Sequence, residues 1–213
     1  MKCPVCLSAK NVPYDQDKYR TYYLCEDCEL VFVSRDKILP AIDELKRYEA
    51  HHNEENDPHY QQYLRQILDS AIPVLGEKAQ GLDFGCGKTT VLAQLFETKG
   101  IQVDSYDVFF HPYDGIWNRK YDFIILSEVI EHLGSPREVM EKLSDILNQH
   151  GKIFIKTKFH PEDPLAFKNW FYKRDLTHVQ FFNPKSLGFL SHHLNLTCPI
   201  QLNSHDLYLI VKP

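Results

Sequence analysis

The chain has 213 residues, of which 43% are hydrophobic and 13% aromatic, enough for one sizeable core with a small appendage and too apolar for a disordered chain. Its net charge of −5 lacks the basic excess of a protein that grips nucleic acid along the phosphate backbone. No apolar run approaches the ~18 residues of a membrane span, and the start, MKCPVC, has no charged stretch followed by an apolar one, so the sequence reads as a cytoplasmic protein with no membrane partner.

In chain order, the first feature is a set of cysteines, which in a reducing compartment serve as thiols or metal ligands more often than as disulfides. Cys3-x2-Cys6 and Cys25-x2-Cys28, with 18 residues between the pairs, have the spacing of a structural zinc site with four thiolates. Tyr19, Tyr22, Tyr23, Leu24, Leu30, Val31 and Phe32 read as short strands around it, a ribbon over residues 1–36 too small to fold without its metal. The two other cysteines, Cys86 in a glycine turn and Cys198 in an expected late strand, read as structural.

Residues 37–75 form a helical linker or lid, with a polar helix over 42–50 and a second over 58–71 that Asp57 caps and Pro58 opens. Tyr48, His51, His52 and Asn53 stand where they could fold over a ligand, and a solvated helix end accounts for them equally well. Over residues 76–213 strands alternate with helices: strand 82–84, helix 89–99 closed by Gly100, strands 101–108 and 121–126, helix 136–149 closed at Gly151, strand 153–157, helix 184–193, and strands at about 194–202 and 207–211. This is the pattern of an α/β, doubly wound parallel sheet with an antiparallel strand at its edge. The stretch 108–121 is too short for a helical crossover, so a helix and a strand are expected to be reduced to a loop there.

The stretch GLDFGCGKTT, residues 81–90, ends like a phosphate-binding loop but fails its spacing. Four residues between glycines would put the first of them at Leu82, and the third glycine of a dinucleotide fingerprint would fall at Thr90. What remains is a buried strand end, an acidic residue and two glycines that let a ligand approach the backbone, a combination suited to a nucleoside carrying positive charge. About 20 residues further on, Asp107 ends the next strand, where a carboxylate can accept hydrogen bonds from ribose hydroxyls. Capping a turn is the alternative role for Asp107.

LDFGCG, the YD that ends the second strand and YDFIILSEVIEHL resemble class I S-adenosylmethionine-dependent methyltransferases, which implies a Rossmann-like sheet and S-adenosylmethionine as cofactor. The resemblance places Asp83, Gly85, Cys86 and Gly87 around the methionine portion and Asp107 on the ribose, with Ser127 and Glu128 completing the cofactor site. CPVC, CEDC, YEAHHNEENDPHYQQYL, SYDVFF and WFYKRDLTHVQFF extend the likeness over nearly the whole chain, to bacterial methyltransferases with an N-terminal zinc ribbon. The departures are Lys88-Thr89-Thr90, where that family has a smaller or proline-containing turn, and the short connection after Asp107.

Glu128, Glu131 and His132 in SEVIEHL stand at i, i+3 and i+4, so on a helical turn they would share one face. Two carboxylates and an imidazole there invite a divalent cation such as Mg, Mn, Fe or Zn, with His178 of RDLTHVQFF as a fourth ligand. The same arrangement is similar to the metal sites of RNA 3′-terminal 2′-O-methyltransferases and of the O-methyltransferases of ubiquinone biosynthesis. A histidine acting as general base without a metal, or a structural role, remains open at these positions. Trp170, Phe171, Tyr172, Lys173 and Arg174 offer an aromatic, cationic wall for an acceptor, and core packing also explains the aromatics. The leading reading is methyl transfer to a hydroxyl of a small-molecule acceptor, with the four residues Glu128, Glu131, His132 and His178 as catalytic candidates. RNA ribose methylation and a non-catalytic zinc-ribbon adaptor are the alternatives, and the oligomeric state is left open.

Overall fold

The computed structural model describes residues 1–50, 55–202 and 206–213. Its central sheet has six strands, β4 (Gln80–Phe84), β5 (Gln102–Tyr106), β6 (Tyr121–Ser127), β7 (Leu147–Lys156), β9 (Ile200–Gln201) and β10 (Leu207–Val211), in the order β5-β4-β6-β7-β10-β9. Pairing is parallel from β5 through β7, and β10 and β9 close the edge antiparallel. Alternation along β6 shows why both faces must be covered: Phe123 and Ile125 pack with helices α2 (Pro58–Ala71) and α3 (Val91–Glu97), while Ile124 and Leu126 pack with α4 (Pro136–Ile146) and α6 (Pro184–His193). Helix α1 (Ala41–Glu49) buries no residue and rests over the carboxyl end of the sheet.

Local chemistry explains several boundaries. Asp57 accepts the backbone N–H of His59 at 2.9 Å with Pro58 in the first turn of α2, and α6 opens on Pro184 behind a reciprocal Asn183–Ser186 capping box. Other boundaries moved. Helix α4 stops at Ile146 because Leu147 is already drawn into the sheet opposite Tyr121, and Asn148 donates to Asp122 at 2.8 Å, so β7 begins six residues earlier than the sequence pattern indicates. Residues 108–121 hold only a short 3-10 turn, Asp114–Asn118, in place of a crossover helix. Cys198 is exposed and lies outside any strand. No helix among the described residues is long and apolar enough to cross a membrane.

The N-terminal segment forms a second sheet of β1 (Asn11–Gln16), β2 (Thr21–Cys25) and β3 (Val31–Val33), whose fourth strand, β8 (Gln180–Phe181), comes from the far end of the chain. Val31 and Phe32 pair with Phe181 and Gln180, and Leu30 and Phe32 share one core with Met140, Phe182 and Leu187. The sulfurs of Cys3, Cys6, Cys25 and Cys28 all lie within 4.8 Å of one another, with Cys3 to Cys28 at 3.5 Å and Cys6 to Cys25 at 3.4 Å. Such a cluster fits thiolates about 2.3 Å from a tetrahedral zinc ion.

Candidate active site

The carboxyl ends of β4, β5 and β6 open onto a cavity of about 870 Å³. At its base β4 ends in the turn Gly85-Cys86-Gly87, where Gly85 and Gly87 hold φ of +80° and +71°. A Cβ on Gly85 would stand 2.5 Å from a methyl of Val129, so both the torsion and the space call for glycine. Gly85→Ala is therefore expected to weaken S-adenosylhomocysteine binding at least ~10-fold, through ~1–3 kcal/mol of backbone strain, in a titration where unchanged affinity would contradict this account. Asp83 is 3% exposed, and burial, with the charge of Asp107 adding to it, pushes its carboxyl up to about 7. Lys88 donates to the carbonyl of Glu49 at the end of α1, at 2.6 Å, so it ties that helix to the turn and is not aimed at a phosphate within it.

Asp107 holds the turn together: one oxygen accepts the N–H of Gly87 at 3.0 Å and the other accepts those of Phe109 and Phe110 at 2.8 and 3.1 Å. The turn-capping role is thus present in the structure. A carboxylate carries about four acceptor sites, so this role leaves acceptor capacity toward a ribose. Trp117, from the shortened connection, lines the cavity beside the stacked rings of Phe84 and Tyr106.

Glu128 follows β6 with φ +53°, a left-handed conformation costly for a residue with a Cβ, and only Ile130–His132 form a helical turn after it. The expected common face of Glu128, Glu131 and His132 therefore does not form. Glu128 instead accepts from the hydroxyls of Tyr63 and Tyr172 at 3.0 and 2.9 Å. Glu131, His132 and His178 do converge, each offering a ligand atom within 4.8 Å of the others. Glu131 is fully buried and pushed up to about 8, first by burial and then by the charge of Glu128; it accepts from the hydroxyl of Thr157, and its other oxygen faces the Tyr172 hydroxyl, whose single proton serves only one of the two glutamates at a time. The rings of His132 and His178 meet edge to face at 4.6 Å. His178 Nδ1 lies 2.7 Å from the carbonyl of Tyr172; because a carbonyl only accepts, Nδ1 carries a proton, and in the neutral form of such a ring the lone pair falls on Nε2. His132, His178, Ser127 and Glu128 all line the same cavity as the glycine turn.

A family model for the methyltransferase domain matches residues 57–199. The chain belongs to this methyltransferase domain family. Its fold is similar to that of an O-methyltransferase family protein from Burkholderia thailandensis, at TM-score 0.54 and 13% identity over 83% of this chain and 64% of that one. It is also similar to a SAM-dependent methyltransferase from Archaeoglobus fulgidus, at TM-score 0.52 and 18% identity over 71% of this chain and 93% of that one. A third similar structure is the N-methyltransferase NodS from Bradyrhizobium japonicum in complex with S-adenosyl-L-homocysteine, at TM-score 0.50 and 15% identity over 80% of this chain and 97% of that one. At such identities the likeness shows the fold, which is the Rossmann-like methyltransferase sheet. No curated protein matches the sequence.

In this methyltransferase the segment 170–174 is not the expected wall, since none of its five residues lines the cavity. Trp170 and Tyr172 pack in or against a cluster with Tyr22, Phe167 and Phe181, Phe171 is exposed, and Lys173 is paired with Asp15 of β1. Tyr48 does reach the cavity, with its ring 5.5 Å from that of His132, whereas His51, His52 and Asn53 lie outside the described residues. Sequence reasoning missed Tyr63, Thr157 and the hydroxyl of Tyr172 as partners of the two glutamates. The weak signal available was the number of tyrosines near polar motifs, which does not say which of them point inward.

Proposed function

We propose that this methyltransferase transfers the sulfonium methyl of S-adenosylmethionine to a hydroxyl of a small-molecule acceptor. The observation that carries the reading is His178 with a proton on Nδ1, which lines with His132 the cavity that also holds the glycine turn and sits beside the buried Glu131. Asp83, Gly85, Cys86, Gly87, Asp107, Ser127 and Glu128 would surround the cofactor. When bound, S-adenosylmethionine would supply an electrophilic methyl for in-line attack by the acceptor oxygen and would leave as a neutral thioether. The hydroxyl proton passes to Nε2 of His178, and Glu131 and His132 flank the imidazolium that forms.

A second reading is favoured by the convergence of Glu131, His132 and His178, a carboxylate and two imidazoles that fit a divalent cation with open positions. Bound there, the ion would lower the pKa of the acceptor hydroxyl. Glu128 falls outside the group of ligand atoms that lie within 4.8 Å of one another, and its carboxylate faces Tyr63 and Tyr172. Cys3, Cys6, Cys25 and Cys28 are assigned a separate structural zinc.

Calorimetric titration of S-adenosylhomocysteine into the protein, with metal content measured on the same sample and on His178→Ala, tests both readings. Micromolar binding retained in the variant, with one zinc per chain in each, supports the histidine base. A second ion present in the wild type and lost from the variant supports the metal. Absence of binding to the wild type rejects the methyltransferase activity.

A further inference from the structure

The cysteine-bearing segment places one buried cation against the loop that presents His178. Arg20, at the start of β2, is 4% exposed and sits about 150 residues away in sequence from its partners. Its Nη1 donates to the carbonyls of Leu176 and His178 at 3.0 and 2.8 Å, and its Nη2 to those of Lys173 and Asp175 at 2.7 and 2.8 Å. Its Nε donates to the hydroxyl of Tyr22 at 3.0 Å, and that hydroxyl in turn donates to Asp17 at 2.5 Å. A guanidinium has five N–H donors in a rigid plane, and all five are used here. Four carbonyls within one turn of chain can converge on a single point only if something positive holds them, since otherwise their dipoles repel one another and lie buried unsatisfied.

We infer that the N-terminal ribbon positions the acceptor-side base of this methyltransferase, and that Arg20 is the residue through which it acts. Arg20 fixes the path of residues 173–178, and that path aims the His178 ring at His132 while Tyr172 holds its Nδ1 proton. The other end of the segment is held by the same ribbon: Val33 donates to the carbonyl of Val179 at 3.0 Å, and Val179 donates to the carbonyl of Glu131 at 2.9 Å. The ribbon therefore reaches two of the three converging residues, His178 through the Arg20 side chain and Glu131 through backbone. The hydrogen bonds of Arg20 reach neither the glycine turn nor Asp107, and the tie from this loop to the cofactor side is the Tyr172 hydroxyl on Glu128. Lysine cannot replace Arg20, because one ammonium offers three donors from a single point where the loop needs four in two directions.

The inference rests on the reading of His178 as the acceptor-side base. Its test uses the full chain with its native metal content, the variants Arg20→Lys and Arg20→Ala, and two readouts. One is the affinity for S-adenosylhomocysteine. The other is the nitrogen-15 spectrum of the histidine side chains, with the His178 signals assigned by their loss in His178→Gln. In the wild type His178 should show a protonated Nδ1 and an unprotonated Nε2. In both variants S-adenosylhomocysteine affinity should stay within about twofold of wild type, because the glycine turn and Asp107 are held together without Arg20, while the single His178 tautomer gives way to a mixture. A wild-type His178 spectrum in Arg20→Lys and Arg20→Ala overturns the inference. So does a parallel loss of cofactor affinity, which would make Arg20 a support of the whole fold and not a positioning residue. Failure of the wild type to bind S-adenosylhomocysteine would instead sink the enzymatic reading, and the spectra would still show whether Arg20 sets the His178 ring.

Discussion

Replacing Cys25 by serine is expected to abolish the zinc binding proposed for the four cysteines and to lower the melting temperature by about 10 °C or more. Cys25 is fully buried at the end of β2, and its sulfur sits within reach of the other three. Four-thiolate zinc sites in small modules supply about 10–16 kcal/mol of apparent binding energy, which is folding energy because the site does not exist in the unfolded chain. Even a few kcal/mol of that shifts the melting point of a chain this size by some 10 °C, at roughly 2–4 °C per kcal/mol. The loss should not stay local. Leu30 and Phe32 pack in one core with Met140 of α4 and Leu187 of α6, and β8 loses its partner strand among the described residues when β3 frays. Zinc content and a thermal melt on the same sample decide the matter. A variant that loses its zinc and melts within a degree or two of the wild type would show that the ribbon folds on its packing alone.

The second large effect concerns pH. Asp83 has no exposed route for its charge, and its carboxyl is raised from 3.8 to about 7 by burial and by Asp107. Below 3.8 both folded and unfolded states are protonated, and the group contributes nothing. Between 3.8 and about 7 the unfolded state gives up its proton while the folded state keeps it, so stability falls as pH rises. Above about 7 both are charged and the loss is constant. A difference of about three between the two values corresponds to ~4 kcal/mol. Asp83→Asn, which removes the charge at nearly constant volume, should therefore raise the stability of the ligand-free protein at pH 7 by an amount of that order and leave it little changed at pH 4. Urea titrations at the two pH values provide the measurement. Equal differences between variant and wild type at both would mean that Asp83 is ionised in the folded state throughout.

The sequence alone was sufficient wherever the determining chemistry is local. The cap at Asp57, the proline that opens α2, the start of α6 at Pro184 and the glycines of the turn each depend on residues within three or four positions, and they lie where the pattern places them. The alternating parallel sheet was legible for the same reason, since buried strands and amphipathic helices carry their own periodicity. The cysteine spacing likewise brought the right four sulfurs together, because two knuckles need only one hairpin to meet.

Only the tertiary structure decided how the cluster of Glu131, His132 and His178 is assembled. An i, i+3, i+4 spacing assumes a helix, but Glu128 turns left-handed at the end of β6, and the set that converges is Glu131, His132 and His178. Tyr172, which looked like part of a ligand wall, faces inward to two carboxylates because its neighbours Trp170 and Lys173 are held by the ribbon. The four carbonyls on Arg20 leave no trace in sequence, because any residue has a carbonyl and only the folded path of residues 173–178 brings four of them to one guanidinium. Pattern and spacing report what a residue can do with its neighbours in the chain. Contacts closed by strands β3 and β8, far apart in sequence, depend on the whole core being formed first.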